Sequence, residues 1–299
     1  MRSILRDLRR LRERVPRGRG RPIVRPRLES LEDRLVPSAD FVQTNLVSNL
    51  AGMAATTDPN LINPWGLVAG PNGPFWVANN GTGTSTLYNG QGVPFPPGNP
   101  LIVNVPGGSS ANGSPTGIVF NTSGSGFDVS QGLSSGSSVF LFDNLDGTIS
   151  GWNPSVNDGN AIVAVKQSGA VFTGLAIGNT PGPNGQTLLY AADTKNGVID
   201  VYDQNFHQVT TLAGKFTDPN LPAGFKPFNI QNIDGELYVE YSSANSGIVD
   251  VYNTDGTLDK NVGQDGRLIT GGPLDKPWGV AVAPSSFGAF GNDLLVGNF

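Results

Sequence analysis

Carboxylate and amide side chains recur at the ends of short apolar runs along this 299-residue chain. The positions concerned are Asn79, Asp143, Asp193, Asn298 and Tyr241, the last with Glu240 adjacent. Oxygen ligands that meet at one point suit a hard cation such as Ca²⁺, which can polarise a carbonyl group or activate water. Asn and Asp also cap strands and bind turn backbones without any ligand. Both interpretations stay open: strand capping, or a calcium site with Asp193 as the candidate catalytic residue.

A second candidate set comes from an exact internal repeat. Thr-Asp-Pro-Asn-Leu occurs at 57–61 and again at 217–221. The default interpretation is a pair of Asx-Pro turns. The alternative is that Asp58, Asn60, Asp218 and Asn220 line one rim of the molecule.

The residue counts exclude several kinds of catalytic site. The chain has no Cys, which rules out disulfides, thiolate metal sites and Cys nucleophiles. A single histidine, His207, rules out sites with several histidine ligands. It follows Asn205-Phe206, and we interpret it as an exposed turn residue.

The elements that must position these residues are short strands. Gly and Pro supply 41 and 23 residues, which is incompatible with a helical bundle. An opening element recurs at intervals of 50 to 57 residues, as Pro64-Trp65-Gly66, Pro115-Thr116-Gly117, Phe172-Thr173-Gly174, Pro227-Phe228-Asn229 and Pro277-Trp278-Gly279. Large residues mark a second strand at Trp76, Phe140, Tyr190, Tyr238 and Leu295, and aromatics mark a third at Tyr88, Trp152, Tyr202 and Tyr252.

Four antiparallel strands in each repeat predict an all-β fold, a β-propeller of the six-bladed type. The fourth strands are expected at 101–105, 161–165, 208–212 and 267–270. The aromatic markers are then packing between blades. Residues 38–299 would supply four full blades and part of a fifth, so we expect an incomplete, C-terminally truncated ring whose exposed edges favour association.

The repeats resemble the NHL type. The third unit carries Leu189-Tyr190-Ala191-Ala192-Asp193 and then Val198-Ile199-Asp200-Val201-Tyr202-Asp203. Longer phrases, such as TTDPNLINPWGL and FTDPNLPAGFKPFNIQNI, resemble an uncharacterised family of bacterial extracytoplasmic propellers. The resemblance implies the fold and an extracytoplasmic location. Related six-bladed propellers of the gluconolactonase type hold a metal with Glu, Asn and Asp, which implies the metal alternative.

Charge separates the first 37 residues from the rest. Residues 1–37 hold 12 Arg against 5 acidic residues, and the remainder is strongly acidic. We interpret 1–37 as a basic disordered leader or sorting segment, because Leu28 to Ser38 resembles the leader of bacterial surface proteins. The acidic body is not expected to bind nucleic acid, and no apolar run is long enough to span a membrane.

The sequence therefore predicts an exported or cell-surface binding or scaffold module. Its partner would be a protein, a glycan or a small molecule. The alternative is a divalent-metal-dependent, lactonase-like hydrolase that uses the axial Asp and Asn residues.

Overall fold

The structure is a computed structural model that describes residues 42–182, 185–212 and 214–298. The chain divides into two compact units, one of Met1–Thr44 with Ala281–Leu295 and one of Asn45–Val280 with Val296–Phe299. The first contains a short 3₁₀ helix, Gly288–Phe290. The expected leader, 1–37, lies outside the described residues. No described helix is long and apolar enough to cross a membrane.

The larger unit is built of short strands in separate sheets. Two short strands, β1 (Val47–Ser48) and β2 (Thr56–Thr57), pair in parallel ahead of the first sheet. Sheet 1 contains β3 (Pro64–Ala69), β4 (Phe75–Asn79), β5 (Thr84–Tyr88) and β6 (Ile102–Asn104). Sheet 2 contains β7 (Pro115–Phe120), β10 (Phe140–Asn144), β11 (Thr148–Trp152) and β12 (Ile162–Lys166), and a hairpin of β8 (Asp128–Gln131) and β9 (Ser134–Ser137) is inserted after β7.

The remaining sheets follow the same order. Sheet 3 contains β13 (Phe172–Asn179), β14 (Thr187–Asp193) and β15 (Val198–Tyr202). Sheet 4 contains β16 (Lys226–Ile233), β17 (Glu236–Ser242), β18 (Gly247–Asn253) and β19 (Arg267–Thr270). Strands β20 (Pro277–Val282) and β21 (Leu294–Asn298), which have residues in both units, form a two-stranded sheet. Neighbouring strands within sheets 1 to 4 are antiparallel, as predicted.

The first strands of sheets 1 to 4 lie beside one another in sequence order. A Cβ atom added to Gly66 of β3 would lie 2.7 Å from the Thr116 carbonyl oxygen of β7. The same addition to Gly117 would strike Leu175 of β13, and to Gly174 would strike Asn229 of β16. Consecutive sheets joined through their first strands are the radial arrangement of a β-propeller, so the predicted fold class is confirmed.

Three apolar clusters lie between consecutive sheets. Trp76 of sheet 1 stacks on Phe140 of sheet 2 with ring centroids 4.1 Å apart. Leu141 of sheet 2 packs with Phe172 of sheet 3, and Tyr190 of sheet 3 packs with sheet 4. The aromatic markers therefore pack between sheets, as the sequence predicts. Buried apolar surface stabilises the fold at about 25 cal/mol per Å².

Sheet 3 differs from the prediction because 208–212 is not a regular strand. Gln208 makes only an isolated bridge with Tyr202. Its side-chain amide donates to Asp200 at 2.9 Å, and the Asp203 carboxylate holds the preceding turn by accepting from the backbone of Asn205 and His207. Local side-chain bonds of this kind compete with strand pairing.

One face of sheet 1 carries exposed apolar side chains. Leu67, Phe75 and Ile102 are 60%, 43% and 40% exposed, and the strand register places them opposite to the face that packs on sheet 2. Exposed apolar patches favour association. The association expected from the sequence stays a prediction.

Candidate functional site

A β-bulge recurs where the first strand of each sheet meets the second. Between the opening residue and the regular ladder, the register shifts in all four sheets. The opening residues Pro64, Pro115, Phe172 and Pro227 lie opposite Asn79, Asn144, Asp193 and Tyr241. In each second strand, the residue that faces the bulge is the one just before this partner. These residues are Ala78, Asp143, Ala192 and Glu240.

This register corrects the sequence alignment of sheet 2. Asn144, and not Asp143, is the counterpart of Asn79 and Asp193. The sequence alignment takes the large residue Phe140 as the counterpart of Trp76. The structural counterpart is Leu141, because its side chain packs against the following sheet, as the Trp76 side chain does. Asp143 therefore faces the bulge, at the same repeat position as Glu240.

The side chains at the strand ends bind neighbouring groups of the protein. Asn79 donates from Nδ2 to the hydroxyls of Thr84 and Thr86 at 3.3 and 2.9 Å. Asp193 accepts from the backbone of Val171 and Asn196, each at 3.1 Å.

Asn298 is likewise hydrogen-bonded. It accepts from the Asp275 backbone at 3.1 Å and donates to the Pro273 carbonyl at 2.8 Å. Among the described residues no group of three or more His, Cys, Asp or Glu side chains could hold a metal ion. The contacts fit strand capping, and the calcium set of Asn79, Asp143, Asp193 and Asn298 stays a prediction.

The two Thr-Asp-Pro-Asn-Leu segments form matching turns. Asp58 accepts from the Asn60 backbone at 2.8 Å, and Asp218 accepts from the Asn220 backbone at 2.8 Å. The second carboxylate oxygen reaches an outer strand in both cases. Asp58 accepts from the Tyr88 hydroxyl at 2.7 Å, and Asp218 forms an ion pair with Arg267. The rim role of the four residues stays a prediction.

His207 lies in the turn after β15. Its side chain is 79% exposed, and Nδ1 is 3.7 Å from the Asp203 carboxylate. This placement agrees with the exposed turn residue expected from the sequence.

Asp143 joins sheet 2 to sheet 3. The side chain is fully buried, and Oδ1 accepts from the Thr116 hydroxyl at 2.7 Å and from the Gly117 backbone at 2.5 Å. The Thr116 hydroxyl also bonds the Phe172 carbonyl of sheet 3 at 3.0 Å. Burial raises the pKa of Asp143 to about 6, although these donors oppose the increase.

Glu240 is also fully buried, but neither carboxyl oxygen has a hydrogen-bond partner among the described residues. Burial raises its pKa well above the ordinary value of a glutamate. Phe228 occupies the bulge position where sheet 2 has the Thr116 hydroxyl, and the Asn229 amide is engaged by the carbonyl oxygen of Trp278. Sheet 4 therefore lacks the hydroxyl donor that Thr116 gives to Asp143 in sheet 2.

A central cavity of about 830 Å³ lies along the first strands of sheets 1 to 4. Gly66, Gly117 and Asn229 line it where these strands begin, together with Trp278. The polar residues of the lining lie toward the other end of these strands, where Pro71 and Phe120 also line the cavity. They are Thr122, Asn179, Gln231, Asn232 and Asp234. Apolar residues such as Leu67 and Ile177 line the wall between the two ends.

The Asp234 end of the cavity is held by a tight turn. Asp234 and Gly235 have φ values of 54° and 92°, and the Gly235 backbone donates to Asn232 at 2.9 Å. The Asn232 amide in turn donates to the Ile177 carbonyl of sheet 3 at 2.8 Å. Asp234 is the one charged side chain among the described residues that line the cavity.

An aromatic cluster lies at the end where the strands begin. Trp65 contacts Phe228 and Trp278 edge to face, with ring centroids 6.1 and 5.5 Å away. The Trp278 indole donates to the Thr173 carbonyl at 2.8 Å, which fixes its orientation. Of these three aromatic residues, Trp278 lines the cavity.

Sequence reasoning did not identify the cavity. Its walls are mostly Gly, aliphatic and amide residues, which carry no chemical signature in a sequence. The signal that was present is the second residue of the opening element, which is Trp65, Phe228 or Trp278 in three of the five repeats.

Comparison with known proteins identifies relatives from a giant virus. The chain is 32% identical to the uncharacterised protein L690 of Acanthamoeba polyphaga mimivirus over 275 residues, which are 85% of this chain and 67% of that protein. It is 32% identical to the uncharacterised protein R648 of the same virus over 272 residues, 85% of this chain and 63% of that protein. The chain thus spans about two thirds of the length of these relatives. No protein-family model matches.

Among solved structures, virginiamycin B lyase from Staphylococcus aureus is similar with a TM-score of 0.41 and 16% identity. The similarity covers 66% of this chain and 58% of the lyase.

Proposed function

The chain belongs to the family of the uncharacterised mimivirus protein L690, and we propose that it is a binding module which takes a small molecule into the central cavity of its propeller. The observation that carries this proposal is the cavity itself. Its volume of about 830 Å³ lies in the range of about 300 to 1,000 Å³ typical of ligand sites. Apolar walls with a few polar groups at one end are the usual composition of such sites.

Binding of a neutral fluorescent dye tests this proposal. We expect prodan to bind the wild-type chain saturably, with increased emission. Leu67 is exposed and lines the cavity, so Leu67→Ala removes part of its apolar wall. A loss of about 1 kcal/mol would weaken dye binding about fivefold.

Leu133 supplies the matched control. It is fully exposed in the turn between β8 and β9 and does not line the cavity, so Leu133→Ala should leave dye affinity unchanged. A wild-type chain that binds no dye, or a Leu67 variant that binds as tightly as the Leu133 variant, would overturn the proposal.

We also propose that the chain is exported. The support is the resemblance of Leu28 to Ser38 to the leaders of surface proteins, a segment outside the described residues. Bacterial cells that produce the full chain should expose it to added protease or release it, and deletion of 1–37 should retain it inside. Equal protease protection of both forms in intact cells would contradict export.

A further inference from the structure

The sequence contains six Asn-Gly pairs, at which a protein backbone can react with its own side chain. The backbone nitrogen that follows an asparagine attacks the amide carbon of the asparagine side chain. Glycine hinders this attack least, because it has no side chain. One of the six asparagines, Asn184, lies outside the described residues. The other five are Asn72, Asn80, Asn89, Asn112 and Asn196.

The attacking nitrogen is unbonded in one of these five pairs. In the other four, the glycine N–H donates to a backbone carbonyl oxygen at 2.7 to 3.0 Å: Gly73 to Gly70, Gly81 to Ile62, Gly113 to Val105 and Gly197 to Asp193. The N–H of Gly90 has no hydrogen-bond partner among the described residues, and Gly90 is exposed. A bonded N–H must leave its acceptor before its nitrogen can attack, whereas Gly90 needs no such local opening.

The turn after β5 also activates the amide carbon of Asn89. Its Oδ1 atom accepts from the backbone N–H groups of Gln91 and Val93 at 2.9 and 3.0 Å. Attack on the amide carbon places negative charge on this oxygen, and backbone donors that already point at the oxygen stabilise that charge. The Nδ2 atom, which must leave, makes no hydrogen bond within the part of the chain that the structure describes.

The same turn in the neighbouring sheets does not combine these features. In sheet 2 the counterpart of Asn89 is Asn153, which precedes Pro154 and therefore has no N–H after it. In sheet 3 the counterpart is Asp203, whose carboxylate accepts from the same two backbone positions of its turn. A carboxylate is thus compatible with this turn, and the reactive combination of amide and glycine occurs in sheet 1.

We propose that Asn89 is a site of spontaneous deamidation. The Gly90 nitrogen bonds to Cγ of Asn89, and Nδ2 leaves as ammonia with the proton that the nitrogen loses, which gives a cyclic succinimide. Water then opens the ring at one of its two carbonyl carbons. One opening gives aspartate at position 89. The other gives isoaspartate, in which the backbone runs through the former side chain. The reaction does not depend on the cavity.

The modified turn lies where the segment before sheet 1 packs on that sheet. A Cβ atom added to Gly92 of this turn would lie 2.7 Å from Cβ of Leu46. Isoaspartate adds a methylene group to the backbone of the turn, so the contact with Leu46 must shift. Both products also add a negative charge to residues 41–127, in which Asp58 is the one charged residue of the sequence. Sheet 1 is therefore the sheet that we expect to change first as the protein ages.

Peptide mass spectrometry tests this proposal. The full chain is kept folded at mildly alkaline pH and digested at intervals, and each Asn-Gly pair is followed by the mass increase that replacement of NH₂ by OH produces. We expect Asn89 to deamidate at least about fivefold faster than Asn112 and Asn196, because opening one backbone hydrogen bond costs about that factor. The chain unfolded in urea is the reference, and there the pairs should react at similar rates.

Gly90→Ala is the matched variant. No atom lies within 4 Å of a Cβ added to Gly90, and its φ is not positive, so the fold should tolerate the methyl group. The methyl group hinders the attack, so deamidation of Asn89 should slow severalfold while Asn112 and Asn196 react as in the wild type. Equal rates at Asn89 and Asn112 in the folded chain would overturn the proposal. An Asn89 rate that Gly90→Ala leaves unchanged would overturn it as well.

Discussion

At the scale of single residues, two buried carboxyls at one repeat position have different surroundings. Asp143 accepts from the Thr116 hydroxyl and the Gly117 backbone, whereas Glu240 has no hydrogen-bond partner among the described residues. A carboxylate with two donors connects strands at an acceptable cost, but one without donors is costly once it ionises. The difference follows from the opening element, which provides Thr116 in sheet 2 and Phe228 in sheet 4.

The raised pKa of Asp143 predicts how stability depends on pH. Its pKa is about 6 in the folded chain, against 3.8 ordinarily. Between these values the folded state binds more protons than the unfolded state, so the free energy of unfolding falls as pH rises. The loss is complete above about pH 6 to 7 and amounts to about 3 kcal/mol. Urea unfolding from pH 4 to 8 should show this decline.

Asp143→Asn should remove this part of the decline, because an amide does not ionise. Its Oδ1 can still accept from Thr116 and Gly117. Asp128→Asn is the control, since Asp128 is exposed on β8, and its pH profile should follow the wild type. An Asp143→Asn variant with the wild-type slope would show that Asp143 ionises normally in the folded chain.

The sequence identified the buried acids only in part. The apolar run before Asp143 makes it a candidate from the sequence. The alignment is one residue off, because the larger Phe140 takes the place of Leu141, which is the structural counterpart of Trp76. Burial and the absence of donors depend on contacts between sheets, which a single sequence does not encode locally. Glu240 was therefore named only as a neighbour of Tyr241.

At the scale of elements, the glycine of the opening element is required where two first strands approach closely. Gly117 has no room for a side chain, because an added Cβ would strike the Leu175 backbone of the next sheet. At the same repeat position, Gly279 has no atom within 4 Å of an added Cβ. One sequence motif therefore has two structural contexts.

This contrast gives a matched pair of variants. We expect Gly117→Ala to lower the free energy of unfolding by about 1 to 3 kcal/mol, because backbone must move to admit the methyl group. Gly279→Ala should change it by less than about 0.5 kcal/mol. Urea unfolding of both variants provides the measurement. Equal effects would mean that the two first strands do not approach as closely as described.

The strand pattern was the most predictable property of the chain. Turn residues and apolar runs locate the first three strands of sheets 1 to 4, because these strands are set by local pattern and by packing that repeats. The fourth strand of sheet 3 was not predictable in this way. Residues 208–212 have strand-like composition, yet the Gln208 side chain binds Asp200 and only one bridge forms.

At the scale of the larger unit, each sheet is stabilised mainly by its neighbours. Sheets 2 and 3 have an apolar cluster on both faces, since one cluster joins sheets 1 and 2, a second joins 2 and 3, and a third joins 3 and 4. Sheet 1 has such a cluster on one face only, and its other face exposes Leu67, Phe75 and Ile102. Local opening is easiest where few apolar contacts must be broken.

Hydrogen exchange should therefore differ among the sheets. Backbone amides of β10 and β14, the second strands of sheets 2 and 3, should exchange at least about tenfold more slowly than those of β4, the second strand of sheet 1, because opening sheet 1 breaks one cluster and not two. Mass spectrometry of peptic fragments can resolve these strands, with the unfolded chain as the reference for intrinsic exchange rates. If β4 exchanges as slowly as β14, the number of apolar clusters does not set local stability, and the burial of Val77 and Tyr88 on the other face of sheet 1 protects β4 equally well.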